Sequence, residues 1–209
     1  MNERIPINPG QVGWAGENPG IYLKNDPAGD WTALGVFFRI VLSPHGGGHT
    51  MIVLDQPDAN SGFPESHNLC ITDNQDMTKY LIEEFLSKFP SFQGRAGLEG
   101  MTYLELDDVF NDGDKKSVYR EVVHGGGVEA EMKWENLGEP FAVEVGPEDS
   151  ATKEHDMFSV FLEAGDASIA VNGQKFSGQV VDRQFFGKTM STAFLALAEI
   201  WIEPRIDRS

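Results

Sequence analysis

The chain has 209 residues, 40% hydrophobic and 23% charged, which is enough to bury a sizeable core in one domain. The 33 acidic against 16 basic residues give a net charge of -17, which excludes the clustered Lys and Arg that nucleic acid or an anionic membrane surface requires. One cysteine excludes an intramolecular disulfide or a multi-cysteine zinc site, and no apolar run approaches the ~20 residues of a membrane helix, so the expected location is the cytoplasm.

The first 30 residues are rich in Gly, Pro and Asn ("NPGQVGWAGENPGIYLKNDPAGD"), so 1–30 is read as an arm outside a single β-rich domain at 31–209. Within this arm Ile21–Leu23 has the character of a short strand, and Trp14 is a candidate pin to the body. "WTALGVFFRIVL" then reads as a long strand starting at Trp31. It is apolar on both faces and interrupted by Arg39.

"SPHGGGHT" (Ser43–Thr50) joins this strand to the next, "TMIVLD", and "VVHGGGVE" repeats its centre at Val122–Glu129. His-Gly-Gly-Gly after an apolar run resembles the oxyanion-hole loop of lipases and esterases with the α/β-hydrolase fold. That fold needs a G-x-S-x-G nucleophile elbow and repeated β-α units, and neither is present. Both triplets are therefore read as hairpin turns, where glycine tolerates positive φ. His45 and His49 bracket the first triplet and, with Glu65 (or Asp55), form the candidate metal set, a reading that competes with ordinary solvated histidines.

"HNLCIT" is a shorter strand with Cys70 as a small core residue, and His67 at its start is the candidate catalytic base. "DNQDMTKYLIEEFLSKFP" carries the one clear helix, at about 74–89, capped by Asp73 or Asn74, with Met77, Tyr80, Leu81 and Phe85 on one face and Pro90 ending it.

From residue 100 onward the pattern is strand and turn. "MTYLEL" precedes the loop "DDVFNDGDKK", which fails the calcium-loop spacing and is read as a turn at Asn111–Gly113. "SVYREVV" is a strand interrupted by Arg120. "VEAEMKWE" alternates strictly, the pattern of a half-buried antiparallel strand. "PFAVEV" and "MFSVFLEAG" continue the series, and Asn172-Gly173 marks a type I′ hairpin. "VVDRQFFGKTM" sets Asp182 and Arg183 beside Phe185 and Phe186 in a Gly-bounded loop, where a guanidinium walled by rings suits a carboxylate or carbonyl ligand. In "STAFLALAEIWIEP" a strand is favoured over a helix, with Phe194, Ala196, Ala198, Ile200 and Ile202 on one face.

The fold class expected is mainly β, an antiparallel barrel or sandwich of about 8–10 strands with one surface helix. The leading function is binding of a small, largely apolar molecule, with Arg39, Arg120, Arg183, Phe185 and Phe186 as ligand-contacting candidates. An enzyme using His67 with Asp182, or a His-metal site, is the second reading. A homo-oligomeric subunit, in the simplest case a homodimer, is the third. The residues name no cofactor.

Overall fold

Strands dominate the computed structural model, which describes residues 10–204. β1 (Gly10–Glu17) and β2 (Gly20–Leu23) precede β3 (Ala33–Leu42), β4 (Gly48–Leu54) and β5 (Leu69–Thr72). Helix α1 (Gln75–Glu84), a 3-10 turn (Leu86–Lys88) and the single-turn α2 (Gly97–Gly100) follow. β6 (Thr102–Gly113), β7 (Val118–Gly125), β8 (Val128–Leu137) and β9 (Phe141–Val145) lead to the long β10 (Asp156–Val171). The C-terminal part adds β11 (Gln174–Lys175), the hairpin β12 (Asp182–Phe185) and β13 (Lys188–Ser191), β14 (Ala193–Ala196) and β15 (Glu199–Pro204). Nine of these strands have five residues or more and six are shorter, so the expected mainly-β class holds.

The pairing order β1-β15-β10-β14-β2-β3-β4-β5-β6-β7-β8 closes on itself twice, through β1–β3 and through β10–β8. β10 is long enough to serve both closures: its first half pairs β15, β9 and β14, and its second half pairs β8. Ring closure leaves few free edges. Only β5–β6 is parallel, and the crossover between them carries α1 and α2.

β3, β4 and β5 are apolar on both faces because each face meets a different core. Leu34, Val36, Phe38, Ile52 and Cys70 join one cluster with Trp14, Leu81, Phe85 and Trp201. Phe37, Met51, Val53, Leu69 and Ile71 join the other, inside the ring with Tyr119, Met132, Trp134 and Ile169. Cys70 is a buried, free thiol.

α1 starts where expected: Asn74 Oδ1 accepts from the Met77 N–H (3.1 Å). Regular helix stops before Phe85, whose ring enters the cluster 6.0 Å from Trp14 and 5.5 Å from Trp201. A 3-10 turn completes the stretch expected to be helical.

The glycine triplets are turns. Gly126 and Gly127, at φ 57 and 77, form the two-residue β7–β8 hairpin, and the first triplet joins β3 to β4. Asn172 and Gly173 (φ 49 and 75) make the type I′ turn between β10 and β11.

Three local expectations are corrected. Residues 10–17 and 20–23 are integral strands and not a surface arm: β1 pairs β15 and β3, β2 pairs β14 and β3, and Trp14 is fully buried, while residues 1–9 of the expected arm lie outside the described residues. Their glycines serve close approach, since a Cβ on Gly16 would run into the Arg39 carbonyl oxygen. β6 runs through Asn111 to Gly113, and the turn falls at Asp114, whose carboxylate accepts from the N–H groups of Lys116, Ser117 and Val118. The last segment is two strands with a break at Leu197–Ala198. The break exchanges faces, so Phe194, Ala196 and Trp201 share the α1-side core while Leu195 faces the ring interior.

Candidate functional site

The hairpin β12–β13 forms its own two-stranded sheet and lies over the edge of the α1-side core. Phe186-Gly187, at φ 47 and 77, is its turn. Lys188 ties it down, pairing with Glu163 (3.3 Å) and standing 3.8 Å from the Phe141 ring centroid. The Ser191 N–H donates to the same carboxylate (3.2 Å).

Beneath the hairpin is a cavity of about 80 Å³ bounded by Asn18, Tyr22, Phe89, Phe161, Arg183, Phe185, Phe186, Phe194, Glu199 and Trp201. Three of the sequence candidates, Arg183, Phe185 and Phe186, meet here. The Arg183 guanidinium is enclosed by rings, with its carbon 4.8 Å from Phe185, 5.0 Å from Phe194 and 5.3 Å from Tyr22. No carboxylate pairs with it among the described residues, and its buried Nε–H has no acceptor. Burial pulls its pKa down, and only the Tyr22 phenol opposes this. Burial likewise pushes the Tyr22 hydroxyl up to about 12.

Glu199 occupies the same cavity, 5% exposed. Its Oε1 accepts from Trp201 Nε1 (2.7 Å) and Asn18 Nδ2 (3.4 Å). Desolvation pushes the carboxyl up to about 7, against the lowering effect of Trp201, Asn18 and the neighbouring Ser159 hydroxyl. The buried Asn18 Oδ1 and Ser159 Oγ have no hydrogen-bond partner among the described residues.

The remaining candidates lie elsewhere. Arg39 points toward the ring interior, where it pairs with Glu17 and with the fully buried Glu121 (2.9 Å), itself held by the Tyr119 hydroxyl (2.6 Å). Arg120 points outward and bridges Asp112 (2.6 Å) and Glu131 (3.0 Å). Each of these guanidiniums already has its acids, and neither lines the cavity.

His45, His49 and Glu65 do not converge: no group of three His, Cys, Asp or Glu side chains suited to a metal occurs among the described residues. His49 Nδ1 is 2.8 Å from Asp73, His45 lies against Tyr80 (5.1 Å between centroids), and Glu65 is exposed. His67 Nδ1 takes Asp55 (3.2 Å) and its ring sits between Phe63 and Phe176. Asp182 is exposed, and its side chain makes no contact with His67. The two His–Asp pairs instead clamp both ends of the β4–β5 pairing, each Asp also accepting from the histidine's own N–H.

Sequence reasoning missed Asn18, Tyr22, Phe194, Glu199 and Trp201. The signal for Glu199 was present, an acid interrupting "FLALAEIWI", just as Arg39 interrupts its strand. A larger, open groove of about 680 Å³ runs past Tyr80, Glu84, Glu154, His155 and Glu203, but Lys88 already bridges Glu84 and Glu154 there. No helix among the described residues is long and apolar enough to cross a membrane. Comparison with protein-family models, curated proteins and solved structures gives no match to this chain.

Proposed function

We propose that the protein binds a small, mostly apolar molecule through an anionic group held by Arg183. The carrying observation is a guanidinium that is largely buried, caged by three rings and without a carboxylate partner among the described residues. A buried charge is costly unless paired, and cation-π contact offsets only part of that cost. Aromatic rings accept no strong hydrogen bond, so the guanidinium N–H groups are left for a bidentate carboxylate. The cavity is about half the ~150 Å³ that accommodates benzene. Its closed part therefore takes a group of a few non-hydrogen atoms, and anything longer must extend past the exposed Phe186.

Titration calorimetry with propionate and propionamide tests this reading. Propionate binding that propionamide lacks, and that Arg183→Met removes, supports it. Equal binding of acid and amide, or binding of neither, overturns it.

In this reading the protein works in the cytoplasm, where the buried Cys70 thiol stays reduced. Association between copies is the second reading. It is favoured by the exposed Val41, Leu42 and Phe158, of which Val41 and Phe158 border one shallow groove. A monomer in sedimentation experiments removes it.

A further inference from the structure

Arg183 accounts for one part of the cavity lining only. The lining also holds Asn18 and Glu199, which are 3% and 5% exposed. Both Glu199 hydrogen bonds, from Trp201 and Asn18, fall on Oε1. With its amide nitrogen turned to that carboxylate, Asn18 presents Oδ1, a buried acceptor with no donor among the described residues. No Lys or Arg pairs with Glu199 among the described residues. An unsatisfied buried acceptor is costly, and Asn18 Oδ1 beside the Glu199 carboxyl in one cavity lining calls for a hydrogen-bond donor.

A guanidinium lacking an anion and a carboxylate lacking a cation thus line the same small space. They do not pair with each other, although Tyr22 feels the charge of both. A single ligand that bridges them completes both.

We propose that the Asn18–Glu199 pair is a second subsite, for an amine, so that the ligand is a short zwitterion with its acid group on Arg183 and its ammonium on Glu199 and Asn18. This rests on the anion reading of Arg183. The aromatic walls, Trp201 among them, suit a cation as well as an apolar chain. Trp201 and Asn18 hydrogen-bond the carboxyl, the Ser159 hydroxyl lowers its pKa as a neighbour, and the Tyr22 phenol and Arg183 are the charged or titratable groups that share its cavity. In this setting burial holds the carboxyl at about 7. An ammonium at hydrogen-bond distance favours its ionised form, so binding near neutral pH releases a proton.

The test is calorimetry on the full chain with glycine, β-alanine and γ-aminobutyrate, each against its matched acid: acetate, propionate and butyrate. The expected result is that one amino acid binds on the order of ten-fold or more tightly than its matched acid. The chain length that wins reports the spacing of the two subsites. Glu199→Gln brings that amino acid's affinity down to the level of the acid. Repeating the titration of the wild-type chain in two buffers of different ionisation enthalpy reads the proton release without any variant.

If the acids bind through Arg183 but the amino acids bind no better and release no proton, the amine subsite is wrong and the anion site stands. If neither series binds, both readings fall.

Discussion

Arg183 and Glu199 line one cavity without forming an ion pair. In a purely structural core, opposite charges lining one cavity are expected to find partners, because each otherwise keeps its desolvation cost. Here rings hold the guanidinium and neutral donors hold the carboxyl.

Replacing Arg183 by Met separates binding from stability. The thioether fills similar space and carries no charge, so the variant should melt at the wild-type temperature or above it. Its affinity for a carboxylate should fall on the order of ten- to a hundred-fold, the value of a charge-assisted hydrogen bond. Thermal melts beside calorimetry check both. A large drop in melting temperature would mark Arg183 as a structural residue.

Glu199 should make stability depend on pH in an unusual direction. Its native pKa, about 7, lies above the ordinary 4.5. Between those values the native carboxyl keeps a proton that the unfolded one has lost, so stability falls as pH rises through the window. The full effect is about 3 kcal/mol above pH 7. Glu199→Gln should flatten the decline, as urea unfolding across pH 4–8 would show. An unchanged slope in the variant would assign the pH dependence to other groups.

Arg39 and Arg120 should differ sharply although each interrupts an apolar strand. Arg39→Met leaves Glu121 buried without its cation and should destabilise by about 3 kcal/mol. Burial already pushes the Glu121 carboxyl up, so the variant's loss should be greatest at alkaline pH, where that carboxyl is forced to ionise. Arg120→Met breaks only surface pairs and should cost under about 1 kcal/mol. Denaturant midpoints of the two variants measured side by side decide this.

Asn74 joins the helix to the first glycine loop. Its Oδ1 caps α1, while Nδ2 donates to the His45 and Gly47 carbonyls (3.0 and 3.1 Å). Asn74→Ala should therefore cost about 1–2 kcal/mol, the upper part of the range for a cap. It should also raise hydrogen exchange in Ser43–Thr50. Loss of stability without that local change would leave the loop independent of the cap.

Local chemistry was legible in the chain. The Asn172-Gly173 turn, the Gly126-Gly127 hairpin and the alternating β8 each follow from what neighbouring residues permit, and the sequence placed them correctly; for the cap it offered Asp73 or Asn74, and the structure uses Asn74. Arg183, Phe185 and Phe186 lie on one short hairpin, so the sequence already set them side by side. β1 was not legible, because a Gly- and Pro-rich stretch becomes strand only when β15 and β3 lie beside it, whereas Ile21–Leu23 of β2 did read as a short strand.

By itself, then, the sequence determined the β class, the helix, the turns and one wall of the cavity. Tertiary structure alone decided which way Arg39 points, since alternation reveals a face only where the other face is wet, and β3 is buried on both. It alone joined Asn18 to Glu199 across 181 residues of separation. A contact assembled from opposite ends of a chain has no local pattern to read; it exists only once the ring of strands has closed.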